Sequence, residues 1–169
     1  MELKRWTLDY AEQIAISANN KKIADNLRNS FPHPYTKADA KEFIKYCIET
    51  GEEKELNRAI VIDGLPIGSL SITIGSDIFC KNAELGYWLA EEYWGKGIMT
   101  KAIKAICKLT FEKYDISKIY ALPFSYNKGS CKTLERNGFS SEGILKNAVY
   151  KNGQFIDCII YGLSIDDIE

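Results

Sequence analysis

Residues 83–106, AELGYWLAEEYWGKGIMTKAIKAI, constrain the fold of this chain more than any other stretch. An extended run over residues 82–90 leads into Gly95 and Gly97, which flank Lys96. Beyond them Ile98, Ala102, Ala105, Ile106 and Leu109 recur at helical spacing, with Lys101, Lys104 and Lys108 on the other side. The stretch reads as strand, glycine turn, helix. Gly86 sits inside the strand, where a missing side chain suggests a bulge or a close approach by another backbone or a ligand.

A helix begins with unpaired N–H groups and a partial positive charge. Glycines there strip away side chains and let an anion reach the backbone. Lys96 adds charge and Thr100 adds a hydroxyl in the first turn. Two readings follow: a cradle for a diphosphate, or a tight turn with both glycines at positive φ and nothing bound. Two common cradles are excluded. There is no GxxxxGK[ST], and Thr100 stands where GxGxxG needs its third glycine.

The other elements follow from local signals. LKRWT, starting at Leu3, reads as a first strand, and helical patterns cover residues 9–18 and 21–27. Pro32 and Pro34 make FPHPYT, residues 31–36, a loop. Thr36 is an N-cap with Asp39 three residues on, and that helix closes at Gly51. RAIVID and PIGSLSITIG are strands joined through Asp63-Gly64, a hairpin pair. SKIYALPF is a strand stopped by Pro123, KGSCKTLERNGF a helix closed by Gly138, and residues 140–164 a hairpin turning at Asn152-Gly153. The order predicts a mixed α/β fold, an antiparallel meander that becomes strand-helix-strand around the glycines.

Composition removes several classes. With 169 residues the expectation is one domain over 1–169. Lysine plus arginine number 22 against 23 acidic residues, which gives no electrostatic footprint for nucleic acid or a membrane surface. No apolar run spans a bilayer, and MELKRWTLDY lacks a signal-peptide core. Cys47, Cys80, Cys107, Cys131 and Cys158 form no CxxC pair and read as reduced thiols, so a cytoplasmic protein is expected. His33 is the sole histidine, which excludes His-built metal sites and Ser-His-Asp chemistry unless His33 itself serves; no metal is expected.

ELGYWLAEEYWGKGIMTKAI followed by NKGSCKTLERNGF resembles the GNAT superfamily of acetyl-CoA-dependent N-acetyltransferases, and most of all its branch of ribosomal-protein N-terminal acetyltransferases. PYTKADAKEFI and NGQFID extend the similarity over nearly the whole chain. The superfamily's phosphate loop is Q/R-x-x-G-x-G/A. Gly95 and Gly97 match it, while Glu92 takes the Q/R position. The resemblance implies a largely antiparallel sheet of six to seven strands, with a splayed central pair and flanking helices. It implies that Gly95, Lys96, Gly97, Ile98, Met99 and Thr100 hold the coenzyme A diphosphate. The strand ending at Leu89 would bulge away from the strand at residues 118–123, and the pantetheine arm would pair with the backbone of Tyr87 and Leu89. Asn127 opens the second motif; its amide suits the pantetheine arm, and it equally suits a helix N-cap.

Acetyl transfer to an amine needs a neutral nucleophile, an oxyanion donor and help for the departing thiolate. Many relatives carry a tyrosine acid seven residues after the motif asparagine; here that residue is Leu134. Ser130, three residues after Asn127, occupies a position that the resemblance ties to the coenzyme sulfur, with a helix-start serine as the plainer reading. The glutamate some relatives place before the hairpin tyrosine is Val149, before Tyr150. Glu84 is the substitute base and Asp157 the second choice; a salt-bridged strand carboxylate is the alternative for Glu84. His33 reads as a loop residue or a proton relay. Trp88, Trp94, Tyr126 and Tyr150 read as packing residues.

The expected function is acetyl transfer from acetyl-CoA to a protein N-terminal or small-molecule amine, in a ternary complex. The expected partners are acetyl-CoA and that acceptor, with no nucleic acid and no membrane, in a monomer or homodimer. A non-catalytic acyl-CoA-binding module and an antibiotic-modifying acetyltransferase are the rivals.

Overall fold

The computed structural model describes residues 1–168. Seven strands, β1 Glu2–Lys4, β2 Glu55–Ile62, β3 Leu65–Ile74, β4 Asn82–Leu89, β5 Lys118–Ala121, β6 Ser140–Lys151 and β7 Gln154–Ser164, form one sheet. Their spatial order is β1-β2-β3-β4-β5-β7-β6. The β4–β5 pair is parallel and the other pairs are antiparallel. The helices are α1 Ala11–Ala18, α2 Lys21–Ala24, α3 Lys37–Glu49, α4 Ile98–Lys113 and α5 Lys128–Glu135. This is the mixed, largely antiparallel sheet the sequence predicts.

The turn chemistry explains the order. Asp63 and Gly64 take φ of 50° and 79°, and Asn152 and Gly153 take 50° and 77°, the left-handed pairs that close tight hairpins. Thr36 and Asp39 form a reciprocal capping box at the start of α3. Some boundaries differ. The helix expected over 21–27 stops at Ala24. β2 starts at Glu55, earlier than RAIVID, because polar Asn57 is buried in the ladder opposite Ser71 and breaks the apolar pattern. In α4 the buried stripe is Ala102, Ile103, Ile106, Cys107 and Thr110, and Ala105 is exposed, against expectation.

Helices cover both faces of the sheet. Trp6, Ile14, Tyr35, Ile44, Val61 and Trp88 make one core with α1 and α3. Leu70, Leu85, Ile103, Ile106, Ile119 and Leu134 belong to the other, with α4 and α5. A strand covered on both faces is buried at consecutive positions, as Ala59, Ile60 and Val61 are in β2 and Pro66 to Leu70 are in β3. Each fully buried Leu or Ile stabilises the fold by about 1.5–3 kcal/mol.

The β4–β5 pair determines where a site can form. Only Asn82↔Lys118, Ala83↔Ile119 and Glu84↔Tyr120 are paired. β5 then ends, Pro123 follows without an N–H to donate, and β4 continues along β3 to Leu89. The gap between the two strands is the predicted splay. The predicted bulge is corrected. The β3–β4 register runs unbroken from Gly68↔Leu89 to Ile74↔Ala83, so the gap arises because β5 stops. Gly86 has a different reason: a Cβ there would lie 2.9 Å from Ser71 Oγ on β3.

Candidate functional site

α4 opens without a side-chain cap. Gly97 is its N-cap at φ 72°, Gly95 precedes it at φ 71°, and no side chain caps the helix. The first N–H that turns back into the helix is that of Lys101, which donates to the Gly97 carbonyl at 3.2 Å. The N–H groups of Ile98, Met99 and Thr100 have no intrahelical acceptor. A Cβ on either glycine would meet nothing within 4 Å, so the space above the turn is open. Positive φ explains the glycines, and the open, uncapped end of a sixteen-residue helix fits a diphosphate. Lys96, between the two glycines, has its Nζ 5.4 Å from the centre of the Tyr93 ring and lies outside the cleft wall.

The turn faces a cleft of about 940 Å³ that follows the gap between β4 and β5. Ala90 N–H donates to the Ile67 carbonyl on β3, so by alternation the backbone groups of Tyr87 and Leu89 face the gap. Leu89's carbonyl accepts from Trp94 Nε1 at 2.7 Å. Tyr87's main chain and the Leu89 N–H remain along that edge, where an extended polar arm can pair.

On the other wall Asn127 caps α5, its Oδ1 accepting from Ser130 N–H at 3.1 Å. Asn127 and Ser130 also line the cleft. Ser130 Oγ lies 2.6 Å from the Tyr87 hydroxyl oxygen. Burial pushes the Tyr87 phenol well above the ordinary tyrosine range, opposed by its hydrogen bond to Ser130.

At the far end Arg28 Nη2 reaches Glu84 Oε1 at 2.5 Å. Burial and the Glu84 charge raise the neighbouring Tyr120 phenol. Lys151 is buried, and its Nζ donates to the Leu27 carbonyl at 2.6 Å and to Asn29 Oδ1 at 3.3 Å. Burial lowers its ammonium below the usual lysine value. Phe31 packs tilted against Tyr35 and edge-to-face against Trp88, at centroid distances of 4.8 and 5.8 Å, which fixes the FPHPYT loop against the core.

Glu84, Tyr87, Leu89, Gly95, Gly97, Ile98, Met99, Thr100, Asn127 and Ser130 thus share one cleft. Asp157 lies outside it, accepting from Asn147 N–H at 2.8 Å in the irregular part of β6. His33 is exposed and borders a separate pocket with Lys21, Asp25 and Asn29. Trp88 is buried as expected, whereas Trp94, Tyr126 and Tyr150 are exposed cleft residues rather than packing ones. Sequence reasoning missed the Tyr87 hydroxyl, Lys151, Thr133 and Arg136. The last two were accessible: both follow Ser130 at helical spacing and line the cleft with it. Among the described residues no cluster of three His, Cys, Asp or Glu side chains is placed to hold a metal ion. No helix among them is long and apolar enough to cross a membrane.

A splayed strand pair beside an uncapped, glycine-entered helix defines the acyl-coenzyme-A-using α/β acyltransferases as a class. The family description "Acetyltransferase (GNAT) domain" matches residues 1–140, and the chain belongs to that family. YdaF of Bacillus subtilis (strain 168) is 32% identical over 108 residues, 64% of this chain and 58% of YdaF. The ribosomal-protein-serine acetyltransferase of Escherichia coli (strain K12) is 34% identical over 86 residues, 51% of this chain and 48% of that protein. The chain thus spans about half the length of these curated relatives. Among solved structures, the microcin C7 self-immunity acetyltransferase MccE, in complex with acetyl-CoA and AMP, superposes with a TM-score of 0.84 at 30% identity, over 96% of this chain and 91% of MccE. RimL, a ribosomal L7/L12 alpha-N-protein acetyltransferase in complex with coenzyme A, superposes at 0.87 with 23% identity, over 98% and 94%, a likeness of fold.

Proposed function

We propose that this chain acts as one domain that transfers an acetyl group from acetyl-CoA to a primary amine, and that its preferred acceptor is the α-amine of a peptide N-terminus. The observation that carries the reading is that the free N-terminus of α4 and the Tyr87–Ser130 pair open into one cleft. Acetyl-CoA supplies an acetyl thioester. The N–H groups of Ile98, Met99 and Thr100 bind its diphosphate, the gap edge at Tyr87 and Leu89 pairs with its pantetheine arm, and Asn127 adds an amide contact while capping α5. Ser130 donates a hydrogen bond to sulfur as negative charge grows there, and this help counts because it strengthens only in the transition state.

The acceptor enters at the Arg28–Glu84 end. Glu84 can take up the proton the attacking nitrogen sheds, directly or through water. Arg28 holds the carboxylate in place, and acceptors already partly neutral at working pH need the least from it. An α-amine, with a pKa of about 8, meets that condition far better than a lysine amine at about 10.4. The relatives' names include both a ribosomal-protein acceptor and a microcin self-immunity role, so a small-molecule amine is the second reading. Thiol release from acetyl-CoA, measured with N-terminal peptides, lysine-like amines and small amines, tests it. Peptide α-amines should give the highest kcat/KM. No thiol release with any amine, despite tight acetyl-CoA binding, would instead establish a binding module.

A further inference from the structure

Tyr87 on β4 and Ser130 in the first turn of α5 are 43 residues apart in sequence, yet their hydroxyl oxygens lie 2.6 Å apart. The Ser130 N–H is already spent on Asn127, so the helix cap fixes the serine backbone and leaves only its hydroxyl for the cleft. That hydroxyl has one proton and two lone pairs. If Ser130 donates to Tyr87, the serine keeps only lone pairs for a ligand, and the free proton is that of the Tyr87 hydroxyl. If Ser130 accepts from Tyr87, its own proton is free to point elsewhere. Burial keeps the phenol protonated through the neutral range, and the other ionisable groups beside it are the thiols of Cys107 and Cys131.

We infer that Tyr87 is a positioning residue: its O–H donates to Ser130 Oγ and thereby aims the serine proton into the cleft, at the place where the leaving sulfur arrives. The inference rests on the role proposed above for Ser130. In the transfer, the acceptor nitrogen bonds to the acetyl carbon and the carbon–sulfur bond breaks with its electron pair going to sulfur. The nitrogen loses a proton, and the thiolate later takes one from solvent. Neither hydroxyl gives up its proton. Both hydrogen bonds tighten as sulfur gains charge, and each polarises the other. A tyrosine hydroxyl thus stands behind the serine in a chain whose family tyrosine position is filled by Leu134.

The test uses coenzyme A itself as the probe, alongside kinetics. The thiolate absorbance of bound coenzyme A is titrated in the wild type, Tyr87→Phe, Ser130→Ala and the double variant. Phe retains the ring and its packing, and the coenzyme Kd reports whether the cleft is intact. In the wild type the bound thiol should ionise at lower pH than free coenzyme A. Each single variant should reverse most of that shift, and the double variant should match Ser130→Ala. Tyr87→Phe should lower kcat roughly tenfold, the worth of one such hydrogen bond, with KM for acetyl-CoA within about twofold. The loss should shrink for acetyl thioesters of more acidic thiols. If Ser130→Ala moves the titration and kcat while Tyr87→Phe moves neither, the Tyr87 inference is wrong and the serine role stands. If neither variant has an effect, the serine role itself is wrong. If Tyr87→Phe costs its full factor even without Ser130, Tyr87 acts on the ligand directly and is not a positioning residue.

Discussion

Arg28 Nη2 and Glu84 Oε1 meet at 2.5 Å across 56 residues of sequence, joining the loop after α2 to the middle of the sheet. Arg28 is 75% exposed, so the pair contributes little to stability, on the order of 0–1 kcal/mol. Its consequences are expected in catalysis.

Glu84→Gln should leave unfolding unchanged within about 1 kcal/mol while lowering kcat/KM. The loss should be larger for a lysine-like acceptor than for an α-amine peptide, because the α-amine, with a pKa of about 8, needs less help losing its proton. Rates for the two acceptors, measured in parallel across pH, check this. Equal losses at every pH would remove Glu84 from proton transfer.

Gly97 separates conformational strain from ligand space. At φ 72° a β-branched side chain is strained, whereas Asn tolerates the left-handed region. Gly97→Val should therefore lose stability and coenzyme affinity together. Gly97→Asn should keep nearly all its stability and still bind acetyl-CoA weakly, since its side chain enters the open space above the turn. Calorimetry and thermal unfolding on both variants decide; wild-type affinity in Gly97→Asn would sink the cradle.

Lys151, only 7% exposed, ties β6 to the Leu27 carbonyl and Asn29. Lys151→Met keeps the length of the side chain and leaves the Leu27 carbonyl without its donor. It should cost about 1–3 kcal/mol, the range for losing a charged hydrogen-bond partner. Amide exchange should rise first across residues 25–31, the segment that carries Arg28.

Acid should unfold the protein partly through Glu52. Hydrogen bonding from Lys113, assisted by Arg58 against the opposing effect of burial, holds its carboxyl down to about 2 from the ordinary 4.5. The unfolded chain binds the proton more readily, so this contribution is complete above pH 4.5 and disappears as pH falls through about 2. Urea midpoints for wild type and Glu52→Gln should differ at neutral pH and converge toward pH 2. Parallel curves over the whole range would show that ionisation of Glu52 contributes nothing.

Local chemistry made much of the fold legible. Asp63-Gly64, Asn152-Gly153 and the Thr36–Asp39 box each act within four residues, so their sequence signals are complete in themselves. The glycine entry into α4 was legible for the same reason. What stayed hidden depends on distant parts of the chain meeting. Nothing near Tyr87 in sequence announces Ser130, and nothing near Glu84 announces Arg28. Lys151 resembles any hairpin lysine until the loop at Leu27 folds over it. The bulge expected at Gly86 was misplaced because glycine signals close approach without saying what approaches; here it is the hydroxyl of Ser71.

The short β4–β5 pairing also has a mechanical meaning. Within the sheet three paired positions join the β1–β4 plate to the β5–β7 plate, a narrow hinge backed by the shared core of Leu85, Ile103 and Ile119. An occupant that pairs with the open edge of β4 while touching α5 lengthens that hinge into a strap. Saturation at a hundred times Kd stabilises any folded protein by about 2.7 kcal/mol. Here that increment should be shared by both plates, slowing amide exchange in β2 and in β7 together, although neither strand forms the helix turn proposed for the phosphates.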